Sequence, residues 1–82
     1  MKLTKKQHRD MEKIIDDLSE YQERLTEAHE RLSEKFESRS DRWKESEKGD
    51  VASEMVSELD NAENLLDHLL ETLRTIRDLQ EA

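Results

Sequence analysis

The sequence predicts an all-α protein: a long antiparallel helical hairpin that dimerises into a four-helix bundle. Three observations carry that expectation. Met11, Ile14, Leu18, Tyr21, Leu25, Ala28 and Leu32 recur at alternating spacings of 3 and 4, which sets them along one line of an α-helix. Ala52, Met55, Leu59, Ala62, Leu66, Leu69, Leu73 and Ile76 repeat the same stepping downstream. The chain also has no proline, one glycine and few β-branched or aromatic residues, so long helices can run unbroken and strands are disfavoured. Charged residues reach 44% against 32% hydrophobic, a balance typical of disorder in an unpatterned chain. Here the apolar residues share faces, which a helical bundle explains.

Residues 1–82 read as one domain, with a helix over about 4–37, a turn at about 38–41 and a second helix over about 41–80. Thr4 is the candidate cap of the first helix, with Leu3 as a staple. Lys2, Lys5, Lys6, Arg9 and Lys13 put basic charge at that N-terminus, against the helix macrodipole, so the partner helix is expected to compensate. On the exposed face, Glu20 with Arg24 and Glu27 with Arg31 are acid-to-base pairs four apart. After Leu32 the seam breaks phase: Lys35 and Arg39 fall where apolar groups were due, and Phe36 sits one step round.

Two stretches can make the turn. Ser38-Arg39-Ser40-Asp41 is rich in capping residues, and a fold-back there pairs residues whose numbers sum to about 80. Leu25 then meets Met55, Tyr21 meets Leu59, Leu18 meets Ala62, Ile14 meets Leu66 and Met11 meets Leu69. The same register sets Lys13 near Asp67, Arg9 near Glu71 and Lys2 near Asp78. A turn at Gly49 raises the sum to about 98 and leaves Leu3, Met11, Ile14 and Ile15 without cover, so the first turn is favoured. A third arrangement is a short separate helix from Asp41 to Lys48.

The second helix has an apolar face wider than its seam, because Val56, Leu65, Leu70 and Leu79 flank it, as Ile15 does on the first helix. Two helices cannot cover so wide a stripe, so a second subunit is expected. The expected oligomer seam comprises Met11, Ile14, Ile15, Leu18, Tyr21, Leu25, Leu32, Met55, Val56, Leu59, Leu65, Leu66, Leu69, Leu70, Leu73 and Ile76. The expected partner is the chain itself, as a homodimer or higher homo-oligomer, and a further protein.

Charge narrows the function classes. The net of −8 is uneven: residues 1–48 hold 12 basic and 13 acidic groups, residues 49–82 hold 2 and 9. Nucleic-acid binding needs a basic footprint, which the second half cannot supply, so direct binding is disfavoured. Without cysteine there is no disulfide framework or thiolate chemistry. No signal-peptide core or membrane-length apolar run is present, which suggests a cytoplasmic protein.

No phosphate-cradle, nucleophile-elbow or zinc-protease motif occurs, and a bare hairpin offers no enclosed site, so no enzyme is expected. His8, His29 and His68 are the metal or acid–base candidates. The sum-80 register places His29 beside Val51 and His68 beside Glu12, and none converges on another. All three read as surface histidines, with no metal and no cofactor. Phe36, Arg39, Arg42, Trp43 and Lys44 form a tip cluster that either plugs the end of the bundle or binds a partner. Asp60, Glu63, Asp67 and Glu71 form an acidic row on the second helix, either solvated or presented to a basic surface.

The segment from Phe36 to Gly49, with Asp41 after a helix-starting serine, Trp43 as the bulky apolar residue and Ser46-Glu47-Lys48-Gly49, resembles a stretch in small uncharacterised helical-hairpin proteins of bacteria and phages. The resemblance implies a helix from near Asp41 through Gly49 and a mobile-element setting, and transfers no activity. Taken together, the expectation is a non-enzymatic, self-associating helical protein that binds another macromolecule. Two alternatives stand beside it: an acidic phage-type anti-defence or regulatory protein masking a basic surface of a host nucleic-acid enzyme, and an oligomeric nucleotide sponge acting through Arg39, Arg42 and Trp43.

Overall fold

The computed structural model describes residues 1–81, which form α1 (Lys5–Glu37), α2 (Asp41–Lys44) and α3 (Glu47–Glu81), with no strand among them. Among the described residues no helix is long and apolar enough to cross a membrane. The molecule is a rod of 59 × 17 × 15 Å, in which α1 and α3 lie side by side in opposite directions. Its open end is clasped by a two-way contact: the Leu3 amide donates to Gln80 Oε1 at 2.7 Å, and Gln80 Nε2 donates to the Leu3 carbonyl at 3.3 Å.

Local chemistry explains each boundary. At the start of α1, the Thr4 hydroxyl accepts from the Gln7 amide at 3.1 Å while Gln7 Oε1 accepts from the Thr4 amide at 2.9 Å. This reciprocal box satisfies two amides that the first helical turn leaves open. The helix ends at Ser38, whose amide reaches Glu34 O at 3.0 Å. Ser40 restarts the chain by capping Trp43 N at 3.2 Å, and Ser46 does the same for Gly49 N at 3.2 Å. On the outer face of α1, Glu20–Arg24 at 2.8 Å and Glu27–Arg31 at 2.5 Å form the helical pairs that the spacing predicts.

The connection differs from the favoured expectation. The second long helix starts at Glu47, not near residue 41, and the segment from Asp41 is a separate four-residue helix that stops before Gly49. The reason is serine chemistry: Ser46 Oγ donates to the Trp43 carbonyl and accepts from Gly49, so it closes α2 and opens α3 at once. Inserting α2 moves the register. Cross-helix contacts join Gln22 to Asp67, Ser19 to Arg74 and Glu12 to Arg77, with sums of about 90 and not 80. The pairs Lys13–Asp67, Arg9–Glu71 and Lys2–Asp78 are therefore not made. Lys13 contacts Asp17 on its own helix, Asp67 receives Gln22, and Asp78 receives Arg77.

Gly49 is buried, and a Cβ built there would collide with the backbone carbonyls of Trp43 and Lys44. It is needed for close approach of α2 to the first turn of α3, and its backbone is ordinary helix.

The inward line of α1 runs through His8, Ile15, Gln22, His29 and Phe36, flanked by Met11, Leu18, Leu25 and Leu32. That of α3 runs through Val56, Glu63, Leu70 and Arg77, flanked by Leu59, Leu66 and Leu73. Ile15 and Leu70, at 4% and 0% exposure, are the most deeply buried apolar residues. Ile14 and Tyr21, which the sequence places on the shared line, stand out at 48% and 53% exposure.

Two substitutions test this packing. In an open helix Gly49→Ala stabilises by about 1 kcal/mol, but here the backbone clash predicts a loss of about 1–3 kcal/mol in urea unfolding. Leu70→Ala is expected to cost about 2–5 kcal/mol by the same measurement.

Candidate functional site

Three places bring chemically capable side chains together: the tip, the middle of the seam and one long apolar side. At the tip, Phe36 meets Trp43 edge-on, with ring centroids 6.4 Å apart at 64°. The Arg39 guanidinium covers the Trp43 ring at 4.8 Å, and Lys44 Nζ lies 5.5 Å over Phe36 and 3.5 Å from Glu37. Phe36, Trp43 and Lys44 are half-buried in this stack, while Arg39 and Arg42 remain exposed. The arrangement sets one of the chain's own cations over each ring.

In the middle of the seam, His29 faces Glu63. Nδ1 of His29 lies 2.8 Å from Glu63 Oε1, and each side chain is 21% exposed. Glu63 Oε1 is sealed from solvent and makes no hydrogen bond, although His29 Nδ1 lies 2.8 Å from it. Asp60, one turn before Glu63, brings a third donor within 4.8 Å of the other two. The reading of His29 as a surface histidine near Val51 is corrected here, because the shifted register turns it into the seam. His68 is exposed, and His8 is half-buried near the open end.

The acidic row does not stand as one free ridge. Glu63 turns inward to His29, and Asp67 accepts from Gln22 Nε2 at 3.3 Å, while Asp60 and Glu71 are exposed. Sequence reasoning missed the His29–Glu63 encounter because it needed the register. One signal was present: His29 precedes Phe36, and Glu63 precedes Leu70, by one heptad.

The apolar side comes from the residues that the pair leaves uncovered. Ile14 and Tyr21 on α1, with Val51, Met55, Leu65, Leu69, Ile76 and Leu79 on α3, are each 38–70% exposed. On α1 these residues precede the inward line by one position, and so do Met55, Leu69 and Ile76 on α3. Stepping back one residue turns about 100° around each helix axis. For two antiparallel helices facing each other, those turns lead to the same side of the rod. Ile14, Tyr21, Met55, Leu69 and Ile76 thus share one face, and Val51, Leu65 and Leu79 extend it farther round α3.

Compared with protein-family models, curated proteins and solved structures, the chain finds no match. The fold and its surfaces define an all-α, elongated chain.

If the tip is a self-contained plug, Arg39→Ala is expected to cost no more than about 1 kcal/mol, the range of an exposed cation–π contact. The emission of Trp43, the only tryptophan, should shift in the same variant while helicity measured by circular dichroism is retained.

Proposed function

We propose that this chain is a non-enzymatic interaction protein whose α1–α3 hairpin pairs with a second copy through its apolar face, forming an antiparallel four-helix bundle that binds a further protein. The observation that carries this reading is the mismatch between what the helix pair covers and what it leaves out. His29, Gln22, Glu63 and Arg77 occupy inward positions, whereas Met55, Leu65, Leu69 and Ile76 face solvent. Apolar side chains in a continuous row stabilise a structure only when something removes them from water, at about 25 cal/mol per Å². A second copy fits because the face repeats every heptad along the rod and can meet itself across a two-fold axis. With two deeply buried apolar residues among those described, the single rod has a small core for its length.

Pairing of this kind turns the remaining surface of α3 outward. There Glu54, Glu58, Asp67, Glu71 and Asp78 are exposed, with Arg74 as the accompanying base. That surface suits a basic protein partner, held by contacts that weaken as salt rises. Capture that is equal at low and high salt, or indifferent to Asp67→Lys with Glu71→Lys, would remove this partner class.

The bundle itself is tested by sedimentation equilibrium. The wild-type chain is expected to run as a dimer or higher species at micromolar concentration. Leu65→Glu combined with Leu69→Glu should shift it to monomer and lower its thermal midpoint. A wild-type chain that stays monomeric and cooperatively folded would overturn the proposal.

A further inference from the structure

We infer that His29, Asp60 and Glu63 form a binding site for one divalent transition-metal cation of the zinc class, clipping the middle of α1 to α3. Four observations on the seam point to it. The donor set is mixed, one imidazole nitrogen and two carboxylates, which suits zinc-class cations better than calcium or magnesium. The donors come from two helices, and Asp60 and Glu63 lie one turn apart, so both carboxylates rise from the same face of α3.

The distances also fit. Donors bound tetrahedrally to one zinc at about 2.0–2.2 Å from the metal sit roughly 3.3–3.6 Å from one another. His29 Nδ1 and Glu63 Oε1 are 2.8 Å apart, and all three donors lie within 4.8 Å of one another. Asp60 is exposed, so its carboxylate can close the remaining gap by rotating about its own side-chain bonds.

The fourth observation is the unsatisfied oxygen. A buried carboxylate oxygen without a donor is destabilising. Glu63 Oε1 makes no hydrogen bond although an imidazole nitrogen lies 2.8 Å from it. A cation placed between their lone pairs satisfies both donors together. A plain register-fixing polar pair, the competing account of His29 and Glu63, needs an aligned hydrogen bond and has no use for Asp60. All donors come from one chain, so the site stands independently of self-association.

Titration calorimetry of the full chain with zinc chloride tests this, alongside thermal melts with zinc, with calcium and with neither. The expected result is saturable micromolar binding of one zinc per chain, with a melting midpoint that rises with zinc and is unmoved by calcium. His29→Gln, Glu63→Gln and Asp60→Asn should each weaken binding by about tenfold or more, while His68→Gln should not. Asp60→Asn decides the matter even if the two seam variants fold poorly, since Asp60 is exposed. Absence of saturable zinc binding, zinc binding that survives Asp60→Asn unchanged, or binding abolished by His68→Gln would each overturn the site.

Discussion

The structure depends on how closely α2 is drawn against the first turn of α3. Gly49 leaves no room for a side chain between the two backbones. Ser46 closes one helix and opens the next within a single residue. The connection is therefore neither a loose loop nor a tight two-residue turn, but a closely packed knuckle. Its length sets how far the return helix is displaced, and displacement sets which side chains meet across the seam.

The same knuckle decides which stripe of each helix is hidden. Phe36 lies three heptads after Ile15 on one line of α1, and its contact with Trp43 turns that line toward α3. Once Phe36 is inside, Ile15 follows, and so do Gln22 and His29 between them. On α3, Leu70 is drawn in with Glu63 and Arg77 on its line. Polar groups at inward positions lower stability relative to apolar ones, yet Gln22, bonded to Asp67, and Arg77, near Glu12, penalise slipped pairings, because a slip strands them without partners. The exposed apolar row is the complement of this choice: it is what remains when a two-stripe helix can cover only one.

Much of the helical architecture could be read from residue spacing. Alternating steps of 3 and 4 mark long helices whatever their partner, and Thr4 with Gln7 three residues on is a recognisable cap. The ion pairs Glu20–Arg24 and Glu27–Arg31 depend on helical geometry alone, so they too were readable. Register was not, because it depends on a few residues in the connection. Ser46 caps a helix from a less conspicuous stretch than Ser38-Arg39-Ser40-Asp41, and Gly49, a candidate turn by sequence, serves close packing. From that single displacement follow the relocation of His29, the loss of the expected lysine–carboxylate pairs and the outward turn of Ile14 and Tyr21. The side of each helix facing its neighbour was ambiguous for a further reason: Met11, Leu18, Leu25 and Leu32 border both candidate stripes, so periodicity is satisfied either way. Phe36, out of phase with one stripe and in phase with the other, was the residue that distinguished them.

The clasp between Leu3 and Gln80 brings both ends of the described chain to one pole of a rod nearly 60 Å long. Anything joined to either end emerges there, leaving the tryptophan pole unencumbered. Two copies joined in tandem could align side by side with a linker of a few residues. Lying head to tail, they would need one that travels the whole rod, so linker length is a ruler for their relative orientation.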